Sequence, residues 1–182
     1  PELGEGFDNT HFISVQAPFQ HDSGFPGMYQ WYSIQSRDDE YLFEGAKKAE
    51  PILKSFTEEQ LERLKLKHNN LVVCGFSQGG MMTLHTFLRY PKKVAGIVSL
   101  SGYISGHKHL EKDITSKPST LLIHGDMDDV VPPSSFEMAK KTLTKLEVPL
   151  EAHMLKGLSH GINYEAIRLT TKFLKNSLNV SS

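Results

Sequence analysis

Cysteine is nearly absent: Cys74 is the only one in 182 residues. One thiol builds no internal disulfide framework, which suits a reducing compartment and makes a cytoplasmic location the expectation. Charge of one sign is not in excess either, with 20 basic and 21 acidic residues and a formal net charge of −1. Nucleic-acid binding needs a basic excess or a basic face, so that partner class is set aside. No apolar run approaches the roughly 18 residues of a spanning helix, so no integral membrane segment is expected. The opening PELGEGFDNT has no basic stretch ahead of an apolar one and does not read as a signal peptide. Metal-ligand spacing is scarce. Among nine histidines only His107 and His109 stand close together, and no H-E-x-x-H occurs. That pair reads as a surface loop, and no metal or other cofactor is expected.

What is there is ordinary for a globular chain. Hydrophobic residues make up 38%, enough for a packed core, and the length suits one domain over 1–182. Residues 12–17 (FISVQA) read as a short strand ending at Pro18. Residues 18–30 are rich in Gly, Pro and aromatics and read as a long loop. Asp38 or Asp39 can cap a helix carrying Leu42, Ala46, Ala49 and Leu53 on one side, which Pro51 kinks or ends. Thr57 and Gln60 have capping-box spacing for a second helix through Leu61 and Leu64. LVVCGF (71–76) reads as a buried strand with a buried Cys74, and 78–90 as a helix. Strands follow at 94–101, 120–125 and 150–156, with helices at 134–146 and from Asn163 to Leu174. The alternation predicts an α/β fold, a mostly parallel sheet with helices on both faces.

One motif carries chemistry. Gly75-Phe76-Ser77-Gln78-Gly79 fits the G-x-S-x-G nucleophile elbow, directly after an apolar strand and directly before a helix. The serine must sit on a sharp turn above the strand ends, and bulk two residues to either side collides with neighbouring backbone. The turn also aims the Gln78 N–H at a developing oxyanion. The plainer reading is a Gly-rich turn with a capping serine. A serine hydroxyl is a weak nucleophile and needs a base and an acid, which in this fold class follow in the order Ser, Asp or Glu, His. After the strand at 120–125 stand Asp126, Asp128 and Asp129, three competitors for the acid. After the strand at 150–156 stands His160, flanked by Gly161. The plainer readings there are a solvated turn and a helix cap.

These stretches resemble the phospholipase/carboxylesterase family, which includes the acyl-protein thioesterases. The matching segments are GFSQGG (75–80), LSGYI (100–104), HGDMDDVVP (124–132) and GLSHG (157–161), with MYQWYSI (28–34) similar to the family's tryptophan segment. The resemblance implies an α/β-hydrolase fold, Ser77 as nucleophile, His160 as base and, as the aspartate four residues after His124, Asp128 as acid. It implies carboxylic esters, lysophospholipids or S-acylated proteins as substrates. The aromatic loop 18–32, with Phe19, Phe25, Met28, Trp31 and Tyr32, has two readings of equal standing: the rim of an acyl site, with Met28 and Trp31 as its substrate-binding residues, or plain packing against the sheet. One departure stands out: no HG-x-G precedes Ser77, so the chain is expected to be N-terminally incomplete, short of a strand and of a second oxyanion donor. A sheet without that strand has an open edge, which favours association into a homo-oligomer. Two rivals are carried forward: a different serine hydrolase on this fold, such as a peptidase, and a catalytically impaired interaction module that retains the triad.

Overall fold

A computed structural model of the chain describes residues 6–180. The first five positions, where the reading for a leader begins, and the last two lie outside the described residues.

Four strands carry the architecture: β3 (Val72–Phe76), β4 (Gly96–Leu100), β5 (Ser119–Gly125) and β6 (Leu150–Leu155). They form one parallel sheet in chain order, β3-β4-β5-β6. A separate hairpin pairs β1 (Phe19–Gln20) with β2 (Tyr29–Gln30), with Phe19 opposite Gln30. The apolar run of β4 is buried along its whole length, as an inner parallel strand should be. The register sets Phe76 beside Leu100 and Leu100 beside Ile123, so all four carboxyl ends emerge on one side of the sheet.

Among the described residues, five α-helices flank it: α1 (Asp39–Leu64), α2 (Gln78–Leu88), α3 (His107–Asp113), α4 (Pro133–Lys145) and α5 (Tyr164–Leu178). One face holds the larger core, where Leu42, Leu53, Leu84, Phe87, Leu110 and Leu143 meet. On the other face Leu169 and Phe173 of α5 pack against Val98, Leu121 and Ile123. Asp38 caps α1, its side chain accepting from the Tyr41 N–H at 3.0 Å.

The structure departs from the sequence expectations in several places, and the β1–β2 hairpin inside the segment read as a long loop is one of them. Helix α1 runs through Pro51 without ending, and no second helix begins at Thr57. Pro51 is exposed, whereas the stripe of Leu53, Thr57 and Leu61 stays buried, so packing of one continuous face outweighs the lost backbone bond. The Thr57 hydroxyl bonds the Leu53 carbonyl at 2.8 Å instead of capping a new start. Residues 12–17 form no strand. Phe12, Ile13 and Val15 are exposed, and their backbone finds no ladder partner among the described residues. Strand β3 is an edge rather than a buried strand, with Cys74 and Phe76 exposed, because among the described residues only β4 pairs with it. Finally, His107 and His109 open the short helix α3. Each faces an acid of α1, His107 Nδ1 lying 3.4 Å from Asp39 and His109 Nε2 lying 2.8 Å from Glu40. No helix among the described residues is long and apolar enough to cross a membrane.

Candidate active site

Three strand ends of the sheet deliver the predicted side chains to one place. Ser77 follows β3, Asp128 lies in the loop after β5, and His160 lies in the loop after β6. Loops at the carboxyl ends of a parallel sheet are where such folds assemble their chemistry.

Ser77 sits at φ 52°, ψ −120°, a backbone conformation a residue with a side chain occupies only under constraint. Its N–H donates to the Leu100 carbonyl at 2.8 Å, and its own carbonyl accepts from the Met81 N–H at 3.0 Å. The strand on one side and the first helical turn on the other hold the strained turn. The hydroxyl does not cap α2. It points instead to His160, with Oγ 3.0 Å from Nε2.

The turn depends on glycine at one of its two motif positions. A Cβ on Gly75 would lie 2.2 Å from the Gly79 carbonyl carbon, whereas a Cβ on Gly79 would meet nothing within 4 Å. The second crowded position is Gly80, where a Cβ would come 2.6 Å from Ser99 Oγ. The symmetric requirement expected from the motif therefore holds on the strand side and shifts one residue along on the helix side. Gly75→Ala should cost roughly 3 kcal/mol or unseat the elbow. Gly79→Ala, in an open helical position, should gain about 0.5–1 kcal/mol. Urea denaturation of the two variants checks the contrast.

His160 Nδ1 lies 2.8 Å from Asp128 Oδ2. An ionised carboxylate only accepts, so Nδ1 carries the proton and Nε2 keeps the lone pair that receives the serine hydroxyl hydrogen. The imidazole also packs on the Phe76 ring at 4.9 Å between centroids. His160 does not cap α5; Asn163 does, through the Ala166 N–H at 2.9 Å.

Asp128 is buried, and its Oδ1 accepts from the N–H groups of Val130 at 3.0 Å and Val131 at 2.8 Å. Burial pushes its acidity toward a higher pKa. The bonds from His160 and from the two backbone N–H groups outweigh that and hold it below the ordinary aspartate value. The other two aspartates behave differently. Asp126 is exposed and accepts from the Gly157 N–H at 2.6 Å, bracing the loop that carries His160. Asp129 is exposed and makes no hydrogen bond or ion pair among the described residues.

Two residues at the end of β5 had no role in the sequence reading. His124, 1% exposed, donates to the Val131 carbonyl at 2.9 Å and lies 3.3 Å from Asp128 Oδ2, so it closes the loop around the carboxylate. Gly125 lets the neighbouring loop approach, since a Cβ there would lie 2.0 Å from the Leu158 carbonyl oxygen. The adjacent His-Gly pair was the available signal for both.

Beside Ser77 opens a cavity of about 680 Å³. Its wall is largely apolar, with Ile34, Leu42, Met81, Ile104, Val131 and Met138, and Ser77 and Gln78 stand at its lining. Of the two readings of loop 18–32, packing holds for Trp31, and neither Met28 nor Trp31 lines the cavity. Trp31 is 7% exposed and belongs to the main core, and Met28 is exposed outside the lining. Their neighbours Tyr29 and Gln30 line the cavity instead. An indole buries too much apolar surface to be left on a rim when a core is within reach. No group of three or more His, Cys, Asp or Glu side chains gathers as a metal site among the described residues.

The chain is similar to known proteins over nearly its whole length. The family model described as phospholipase/carboxylesterase matches residues 3–178. The acyl-protein thioesterase 1 homolog 1 of Dictyostelium discoideum is 31% identical over 180 residues, covering 94% of this chain and 79% of its own. Acyl-protein thioesterase 1 of Saccharomyces cerevisiae is 28% identical over 182 residues, covering 94% and 80%. The crystal structure of esterase PE8 superposes with a TM-score of 0.83 at 35% identity, over 89% of this chain and 76% of that one. The fold is therefore that of the α/β-hydrolases.

Proposed function

We propose, from the premise that this chain belongs to the phospholipase/carboxylesterase family, that it hydrolyses carboxylic esters or thioesters through an acyl-enzyme on Ser77. The observation that carries the reading is the continuous relay from Ser77 Oγ to His160 Nε2 at 3.0 Å and from His160 Nδ1 to Asp128 at 2.8 Å. Ser77 Oγ attacks the acyl carbonyl while His160 takes its proton. Asp128 holds the imidazole tautomer and supports the positive charge that forms. The Gln78 N–H, at the first position of α2, has no carbonyl one turn earlier in the helix and is free to receive the oxyanion. His160 returns the proton to the leaving alcohol or thiol, then activates the water that releases the acid. Each of these groups stands just beyond a strand end of one sheet, which supports reading 1–182 as a single domain.

The substrate class follows from the cavity and from the relatives. A largely apolar space of about 680 Å³ beside the nucleophile suits an acyl chain. Two relatives are named acyl-protein thioesterases, so the acyl group of an S-acylated protein, or of a lipid or small-molecule ester, is the proposed substrate. The test is labelling of the wild-type chain by a fluorophosphonate probe, followed by a panel of p-nitrophenyl esters, an acyl thioester and a peptide amide. Labelling with turnover of esters or thioesters is expected, and amide turnover is not. Absent labelling removes the enzyme reading, and a preference for the amide replaces it with a peptidase.

A further inference from the structure

Only the backbone N–H of Gln78 enters the mechanism above. Its side chain is engaged elsewhere. Gln78 Oε1 accepts from the Trp31 N–H at 2.7 Å, and Gln78 Nε2 donates to the Tyr32 carbonyl at 2.8 Å. One amide thus satisfies the backbone donor of one residue and the backbone acceptor of the next. It does so across 47 and 46 positions of sequence.

The segment held this way leads out of the hairpin that walls the cavity. Tyr29 and Gln30 line the cavity just before the clamp, and Ile34 lines it just after. Internally the hairpin is braced by Asp22, which accepts from Gln30 Nε2 at 2.8 Å, Ser33 Oγ at 2.7 Å and the Ile34 N–H at 3.3 Å. Toward the sheet, Trp31 and Tyr32 are buried, and the Tyr32 hydroxyl donates to Met81 Sδ at 3.3 Å. Apolar packing tolerates sliding, whereas two opposed hydrogen bonds from one planar amide define a register. The residue that supplies them is covalently next to the nucleophile.

We propose that the Gln78 side chain is a positioning residue that sets the hairpin wall relative to Ser77 and so governs discrimination between long and short acyl chains. The selectivity part rests on the ester-hydrolase reading; the link between hairpin and elbow does not. A short acyl group reaches Ser77 whatever the wall does. A long one needs the wall at a defined distance from the carbonyl being attacked.

The experiment has two arms. In the kinetic arm, Gln78→Met keeps the side-chain length and removes both hydrogen bonds. The ratio of kcat/KM for p-nitrophenyl laurate over acetate should fall about tenfold, the effect of one or two net hydrogen bonds on a local equilibrium. The loss should sit in the KM for laurate. In the spectroscopic arm, Trp31 is the only tryptophan in the chain, so its emission reads the clamp directly. Both variants are made in a Ser77→Ala background, with far-UV circular dichroism as the check on folding. Gln78→Met should shift the emission to the red. Gln78→Glu keeps the acceptor for Trp31 but sets an oxygen against the Tyr32 carbonyl until the introduced carboxyl is protonated. Its emission should therefore return toward the parent's as pH falls, over a range in which the parent's stays flat. If Gln78→Met does not fold, the pH-dependent return in Gln78→Glu decides. An unchanged laurate-to-acetate ratio with parent-like emission overturns the proposal, as does an emission shift in Gln78→Glu that ignores pH. A wild-type chain that fails to label removes the ester reading, and the emission arm still decides the link.

Discussion

Ser77→Ala is expected to abolish ester turnover and fluorophosphonate labelling while the domain stays folded. The variant removes the only atom placed to attack, and His160 at 3.0 Å is left without a proton to accept. In serine proteases the loss of the nucleophile costs about 10⁶ in kcat, the remainder being what binding and oxyanion donors do alone. The stability effect has the opposite character. Ser77 holds φ 52° because its backbone is tied to Leu100 and Met81, and neither bond involves the side chain. What disappears is one partly exposed hydrogen bond, worth about 1 kcal/mol at most. A melting curve close to wild type with no labelled band is the predicted pair of results. A labelled band in Ser77→Ala would move the nucleophile to another residue.

The inner strands and the order of the site residues were legible because they depend on near neighbours in sequence. An apolar run such as GIVSL has one comfortable place, inside a sheet, and the segments after β3, β5 and β6 each carry a serine, aspartate or histidine within three residues of a glycine. The misread elements share a different dependence. Whether Cys74 is covered is decided by what pairs with the outer edge of β3, and 12–17 becomes a strand only with a ladder partner that is absent among the described residues; no periodicity in those segments records either. Pro51 looked like a stop because its local cost is visible in sequence, while the gain from Leu53, Thr57 and Leu61 against the core is tertiary. The Gln78 clamp and the His124 contact to Val131 are side-chain bonds to backbone, and such bonds leave no repeat to find. The same holds for Trp31. Its aromatic, Gly-rich surroundings suited a rim and plain packing equally, and the indole turns into the core, leaving the rim to Tyr29 and Gln30.

Asp128→Asn is expected to lower kcat by about 10⁴, the loss seen when the corresponding carboxylate of a serine protease becomes an amide. The argument is one of tautomers. The carboxylate can only accept, so it keeps the proton of His160 on Nδ1 and leaves Nε2 open toward Ser77. In the variant, Val130 and Val131 still donate to the oxygen in the Oδ1 position, which directs the amide nitrogen toward His160. An N–H there favours the tautomer with its proton on Nε2, which cannot take the proton of Ser77. The two neighbouring aspartates should respond differently. Asp126→Asn keeps an oxygen for the Gly157 N–H and should cost tenfold or less, roughly the worth of a weakened brace. Asp129→Asn, at an exposed position, should stay within about twofold of wild type, as surface substitutions usually do. Stability should separate them as well. The Asp128 carboxyl is held below the ordinary aspartate value, so it contributes stability that is present above that value and lost as pH falls through its depressed pKa. Asp128→Asn should therefore flatten the acid limb of the melting temperature against pH. Single-turnover kinetics and melting curves on the three variants test the assignment together. A larger kinetic loss in Asp126→Asn or Asp129→Asn than in Asp128→Asn would transfer the role of acid to that residue.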